Sequence, residues 1–168
     1  MVRGDTMSTL IEQVCDVGDF IRRLRVRARF GRLSRAPLRL LRLELRGNAA
    51  ECDLIARTAD RWDAGIPRRV SDRNVSRQAL EDAIAVRKLL LRALPGARGA
   101  EIRVYRQSHG EPLELIIAGN VTRERHVARK IPSLAMRAKL CGLQFCLEDG
   151  VLEPLARQET MQARGGGT

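Results

Sequence analysis

The sequence predicts an α+β fold: an antiparallel sheet of about six strands built from hairpins, with about three helices packed mainly on one face. Two observations predict it. Apolar residues recur at helical spacing in three separate segments, while most of the remaining chain alternates apolar and polar residues. The alternating segments come mostly in pairs around Gly-containing turns, which is typical of hairpins. The predicted order is α-β-β-β-α-β-β-α-β.

The first helix is predicted over residues 9–20. Thr9 followed by Glu12 fits a capping box, in which the two side chains satisfy free backbone N–H groups at a helix start. Apolar residues then recur at helical spacing from Leu10 to Ile21.

The Arg-rich stretch that follows, RRLRVRARF at 22–30, allows two interpretations. A helix would extend a narrow apolar stripe through Leu24 and Ala28 and surround it with Arg. A strand explains residues 23–30 with one rule, because Arg occupies the odd positions and apolar residues the even ones. We interpret the stretch as a strand whose even positions, including Phe30, face the core.

The rest of the chain divides into one long helix between two groups of strands. A turn at 31–37 precedes a hairpin centred on Gly47, and a polar loop at 58–74 is expected to be anchored by Trp62. The long helix is capped at Asn74 or Ser76 and ends at Pro95. Later segments predict two strands at 102–107 and 113–118, a short helix from Pro132 to Leu140 and a strand at 143–148, which Asp149-Gly150 turns into a last hairpin.

Length and composition predict a single domain. We expect residues 8–156 to fold together, with a disordered N-terminus at 1–7 and a disordered, Gly-rich tail at 157–168. No apolar run approaches the about 18 residues of a membrane span. No secretory signal is recognisable, so we expect a cytoplasmic protein with reduced thiols and no membrane association.

Cofactor and metal motifs are not recognisable in the sequence. The only close cysteine pair, Cys141 and Cys146, lacks the second ligand pair of a zinc site, and the two histidines are not spaced as one. No glycine-rich phosphate loop is present. We therefore predict no cofactor and no metal.

The formal charge of +11 is the strongest functional signal. Only three of the 31 basic residues are Lys, a preference typical of a GC-rich, bacterial genome. Genome composition does not explain eleven more bases than acids, and charge of this size favours polyanions. The excess lies in two blocks: residues 22–42 hold nine Arg and no acid, and residues 121–139 hold six Arg and Lys with one acid.

These blocks supply the predicted binding residues, Arg22, Arg23, Arg25, Arg27, Arg29, Arg32, Arg35, Arg123, Arg125, Arg129 and Lys130. On a strand, the odd-numbered Arg would share one face and could follow a phosphate backbone. Few aromatic residues accompany them, so we expect contacts to phosphate and shape rather than to bases.

The leading prediction is a non-enzymatic basic module that binds nucleic acid, with RNA and DNA both left open, or a ribonucleoprotein. An alternative is a subunit or adaptor of a protein assembly, with a homodimer as one form, that offers the Arg row to an acidic protein partner. A third is a ribonuclease-like enzyme using His109, His126 and Glu124 for acid–base chemistry. Under the leading prediction, no residue is catalytic.

Overall fold

The computed structural model describes residues 3–123 and 130–155 of the 168-residue chain, with side chains described from Thr9 onward. It confirms the α+β fold. Within the described ranges there are three α-helices, a five-stranded sheet and a separate two-stranded hairpin. In chain order the elements are α1 (Arg3–Arg29), β1 (Arg39–Arg46), β2 (Ala49–Ile55), a short 3-10 helix (Arg61–Gly65), α2 (Arg68–Ala93), β3 (Gly99–Arg106), β4 (Glu114–Thr122), α3 (Leu134–Leu140), β5 (Leu143–Gln144), β6 (Cys146–Glu148) and β7 (Val151–Glu153).

The sheet is mixed rather than antiparallel throughout. Its strands follow the order β1-β2-β3-β4-β5, and every neighbouring pair is antiparallel except β2 and β3. There, Ala50 lies beside Ala100 and Leu54 beside Val104 in parallel register. The reason is the connection: α2 carries the chain back along the sheet before β3 begins, as a parallel pair requires. The sequence patterns show the strands and the helix but not this crossover.

The helices cover one face of the sheet, as predicted. Ile102 and Val104 of β3 lie in the same buried cluster as Val86 and Leu90 of α2. The neighbouring β3 residue Arg103 projects to the opposite face, because successive side chains of a strand alternate. That face carries ion pairs, including Arg103 Nε to Asp53 Oδ1 at 2.7 Å and Arg42 Nε to Asp53 Oδ2 at 3.2 Å. The hydrogen bond to Asp53 raises the pKa of Arg103.

The predicted strand at 23–30 is wrong, because residues 23–29 form the C-terminal part of α1. Val26 and Phe30, which a strand would bury, are 76% and 71% exposed. Phe20 and Leu24, one turn apart, are buried, and Ala28 packs against the core one turn later. These residues form an apolar stripe with helical spacing. A narrow stripe is sufficient for a helix here, because packing against α2 buries only one face of it. The helix starts at Arg3, inside the segment 1–7 for which composition predicts disorder.

The polar loop before the long helix is shorter than predicted. α2 begins at Arg68, immediately after Pro67, rather than near Asn74. Trp62 is not an anchor, because the residue is 72% exposed. Asp60 and Asp63 instead stabilise this segment as a 3-10 helix. The side chain of each aspartate accepts a hydrogen bond from the backbone N–H of the other aspartate. The predicted tail at 157–168 lies outside the described residues.

A buried arginine fastens the end of α1 to the rest of the fold. The side chain of Arg57 is 1% exposed, and its Nε lies 2.7 Å from Asp82 Oδ2 on α2. Its Nη atoms donate to the backbone oxygens of Arg27, Ala28 and Ala36 at 2.8 to 2.9 Å. Two of these carbonyls belong to the last turn of α1, where backbone oxygens have no partner within the helix. Arg57 therefore determines where the C-terminal half of α1 lies relative to α2.

Gly119 of β4 is required by a close backbone approach. A Cβ added there would lie 2.2 Å from the carbonyl oxygen of Gly142 and 2.9 Å from Cα of Leu143, its partner on β5. Backbone atoms cannot yield as a flexible side chain can. We therefore expect Gly119→Ala to lower the free energy of unfolding by about 1 to 3 kcal/mol, as overpacking typically does.

Urea unfolding followed by circular dichroism measures this loss. Gly96→Ala is the matched control, because a Cβ at Gly96 meets nothing within 4 Å. Equal stability of the two variants would contradict the close approach between β4 and β5.

Candidate nucleic-acid interface

An open cavity of about 730 Å³ lies between the C-terminal half of α1, the outer face of α2 and the start of α3. We call it the basic groove. Its apolar lining residues are Val26, Ile84, Ala85, Leu89 and Leu134. Around these stand seven basic residues and a single acid, Glu81; the basic residues are Arg23, Arg27, Arg32, Arg77, Lys88, Arg92 and Arg137. The described part of the chain thus concentrates positive charge along one groove.

Helical spacing explains how α2 supplies most of this lining. Arg77, Glu81, Lys88 and Arg92 are separated by four, seven and four residues, which are close to whole numbers of turns. They therefore lie on one face, opposite the face that buries Val86 and Leu90 in the core. On α1, Arg23 and Arg27 are also one turn apart and flank the same groove.

The basic residues nearest α1 already have acidic partners. Arg23 Nε lies 2.7 Å from Asp19 Oδ2, and Arg27 Nε lies 4.0 Å from the buried Asp82. Glu81 accepts from Arg32 Nη2 at 2.5 Å, which raises the pKa of Arg32, and it lies 3.8 Å from Arg77 Nε. These pairs hold the walls of the groove and leave their Arg side chains partly neutralised.

The other end of the groove carries free charge. Lys88 and Arg92 on α2 and Arg137 on α3 make no ion pair or side-chain hydrogen bond with any described residue. The Nε of Arg137 is buried without an acceptor. A buried donor without a partner is costly, and native proteins usually satisfy it. We call these three residues the basic triad.

The structure brings together only part of the predicted set. Arg23, Arg27 and Arg32 line the basic groove. Arg22 is exposed beside Asp19 at 3.4 Å. Arg25, Arg29, Arg35 and Lys130 are exposed and lie outside the lining. The predicted row of odd-numbered Arg does not exist, because residues two apart on a helix point in different directions.

Arg123 has a structural position rather than one in the groove. Its Nε donates to the carbonyl oxygen of Ala97 at 2.8 Å and its Nη2 to that of Leu94 at 2.5 Å. It thereby satisfies backbone groups at and just beyond the C-terminal end of α2, where a positive charge is also favourable. The predicted residues Arg125 and Arg129 lie outside the described residues.

Sequence reasoning missed four of the seven basic lining residues: Arg77, Lys88, Arg92 and Arg137. A signal for three of them was present. Arg77, Lys88 and Arg92 are on a segment correctly predicted as a helix, and their spacing places them on one face. These three residues lie outside the two basic blocks, so the local excess of bases over acids does not mark them. The approach of α3, which adds Arg137, depends on tertiary packing and has no local signal.

The described residues offer little for the ribonuclease hypothesis. His109 lies exposed in the turn between β3 and β4, away from the groove lining. His126 and Glu124 lie outside the described residues. Among the described residues there is no group of three His, Cys, Asp or Glu side chains placed to hold a metal ion. The groove lining also contains no aromatic side chain.

The cysteines divide into two exposed and two buried free thiols. Cys15 and Cys146 are exposed, whereas Cys52 and Cys141 are buried. Burial, reinforced by the neighbouring Asp53, raises the pKa of Cys52 to about 12. Burial also raises the pKa of Cys141, although Arg87, Lys88 and Arg137 act in the opposite direction. Since the thiolate is the reactive form, the buried pair should be inert.

We expect an aromatic disulfide reagent at pH 8 to titrate only Cys15 and Cys146 in the folded protein. All four cysteines should react in denaturant, which exposes Cys52 and Cys141 and returns their pKa values to the ordinary range. The variant Cys15→Ser/Cys146→Ser should show no rapid reaction while folded. Rapid reaction in that variant would contradict the burial of the other two thiols.

No protein family, no curated protein and no solved structure matches this chain. In the part of the chain that the structure describes, no helix combines the length and the apolar character needed to cross a membrane.

Proposed function

We propose that this protein is a non-enzymatic nucleic-acid-binding module that holds the phosphate backbone in the basic groove. The observation that carries this proposal is the convergence of seven basic side chains and one acid on a single open groove. Phosphate neutralisation by Lys and Arg supplies most of the affinity of non-specific nucleic-acid binding.

The extent of the charged face favours a polymer over a small anion. From Arg77 to Arg92, α2 rises about 22 Å at 1.5 Å per residue. A duplex strand places one phosphate every 3.4 Å along its axis, so this face spans about six phosphates. One small anion would engage only a few of the seven cations. A repeating polyanion can engage charges along the whole groove.

The composition of the lining supports binding without sequence readout. Proteins that read single-stranded bases usually stack them on aromatic side chains, and the groove lining has none. Its apolar residues lie between the basic ones and can contact sugars. We therefore propose contacts that position a backbone rather than specify bases.

Fluorescence anisotropy with labelled RNA and DNA of several sequences, measured over a range of salt, tests this proposal. We expect similar affinities for all sequences. A plot of the logarithm of the association constant against the logarithm of the salt concentration should fall with a slope of about −3 or steeper on duplex DNA. The three members of the basic triad alone account for a slope of about −3, because each neutralised phosphate contributes about −0.9. Absence of binding at low salt would overturn the proposal.

An acidic polypeptide such as poly-glutamate separates the proposal from the adaptor alternative. It carries the charge of an acidic protein surface without the phosphate spacing. If poly-glutamate bound more tightly than nucleic acid, the basic groove would be a protein interface instead. The groove lining contains no histidine, so we also expect bound RNA to be recovered uncleaved.

A further inference from the structure

Charge is segregated along α1 in a way that the basic groove does not require. Residues 9–19 contain three acids and no base, whereas residues 20–29 contain five Arg and no acid. Among the described residues of α1, ion pairs within the helix occur only at its middle, where Asp19 contacts Arg22 and Arg23. The outer acids and the outer bases lie too far apart along the helix to neutralise one another.

The face of α1 turned away from the core is exposed from Ile11 to Val26. Ile11, Cys15, Arg22 and Val26 are separated by four, seven and four residues, so they share one face. All four are exposed, and Ile11 and Val26 are 60% and 76% exposed. Phe30, the residue after α1, is 71% exposed. Single exposed apolar residues are common on protein surfaces, so what marks this face is that its apolar residues accompany the segregated charge.

We propose that this outer face of α1 binds the same face of a second copy, with the two helices antiparallel. In one register, Ile11 lies opposite the partner's Phe30 and Cys15 lies opposite the partner's Val26. The same register places Asp16 opposite the partner's Arg25 and Asp19 opposite the partner's Arg22. A single register of the two helices therefore pairs apolar residues with apolar residues and acids with bases.

The charge distribution selects the antiparallel arrangement. A parallel, in-register pair would place the five Arg of one copy beside the five Arg of the other, which is destabilising. Two-fold symmetric contacts between identical surfaces are also the commonest way in which proteins form dimers. Val26 also lines the basic groove, so the proposed dimer contact adjoins that groove. The dimer proposal is nevertheless tested without nucleic acid, and it uses none of the basic triad.

The contact is small, so the dimer should dissociate on dilution. About 20 residues of helix extend about 30 Å. A contact made by one such helix from each copy buries less surface than a standard protein–protein interface, which buries about 1,200 to 2,000 Å² in total. Sedimentation velocity from micromolar to millimolar protein should show a concentration-dependent shift from monomer to dimer.

Ile11→Glu should abolish that shift while leaving the circular dichroism spectrum unchanged, because Ile11 is already exposed. Val70→Glu is the matched control, since Val70 is also an exposed apolar residue on a helix, at 42%. A monomer at every concentration would overturn the proposal, and so would a dimer insensitive to Ile11→Glu.

Disulfide trapping tests the register directly. In a Cys146→Ser background, Val26→Cys should form cross-linked dimers with the native Cys15 of the second copy under mild oxidation. The parent without Val26→Cys should not cross-link. In this register Cys15 lies opposite position 26 of the second copy, which is 11 residues, or about 16 Å, along the helix from the Cys15 of that copy. Adding Cys15→Ser should abolish the cross-link. Cross-linking of the parent through Cys15 alone would overturn the antiparallel arrangement.

Discussion

Asp82→Ala should lower the free energy of unfolding by about 3 to 5 kcal/mol, the typical cost of removing one partner from a buried ion pair. The side chains of Arg57 and Asp82 are only 1% and 2% exposed, so water cannot replace the missing carboxylate. Arg57 would retain its contacts to backbone oxygens but would carry an uncompensated buried charge. Gln78, whose Nε2 donates to Asp82 at 3.2 Å, would lose an acceptor as well.

Urea unfolding measures this effect, and a second α2 carboxylate provides the control. Asp72 pairs with Arg68 one turn away at 3.8 Å, but its side chain is 47% exposed. Exposed helical pairs contribute about 0.3 to 0.5 kcal/mol, so Asp72→Ala should be nearly neutral. Arg57→Met combined with Asp82→Ala should cost less than the sum of the single changes, because no charge is then stranded. Equal losses from Asp72→Ala and Asp82→Ala would refute the special role of the buried pair.

Lys88→Glu/Arg92→Glu should weaken nucleic-acid binding by about tenfold at low salt and reduce the salt slope by about 2. Both residues belong to the basic triad, and neither makes an ion pair with a described residue. The double change therefore removes the proposed phosphate contacts without breaking an ion pair that holds the fold. Both side chains are exposed, so stability should change little.

The control for Lys88→Glu/Arg92→Glu must change the net charge by the same amount at a site outside the basic groove. Arg61→Glu/Arg98→Glu does so, because both residues are exposed and neither lines the basic groove or belongs to α1. Net charge alone would weaken binding to the same degree in both variants. We expect the control to keep most of the wild-type affinity and its salt slope. Equal losses would show that binding depends on overall charge and not on the groove.

The sequence was sufficient for the elements whose local signals agree. The β1–β2 hairpin follows from alternation on both sides of Gly47, and α2 from an apolar stripe that ends at Pro95. Strands β3 and β4 and the short helix α3 likewise formed where pattern and turn residues predicted them. In each case one periodicity was clearly stronger than the other, so little depended on distant residues.

The stretch at 22–30 shows where this reasoning fails. Its residues satisfy a strand pattern more completely than a helical one, yet they form a helix. What decides is burial: Phe20 and Leu24 pack against the core, and Arg57 satisfies the backbone oxygens at the end of α1. Arg57 is 29 residues from Ala28, and no local pattern reports such a contact.

By itself, the sequence determined the α+β class, the hairpins, the long helix and the excess of positive charge, because these depend on composition and short-range periodicity. Only the tertiary structure decided that β2 and β3 are parallel and which basic residues share a surface. Arg23 and Arg137 come to one groove because α1 and α3 both pack beside α2. Packing between helices distant in sequence sets that convergence, and it depends on the shape of the whole core rather than on any segment of the chain.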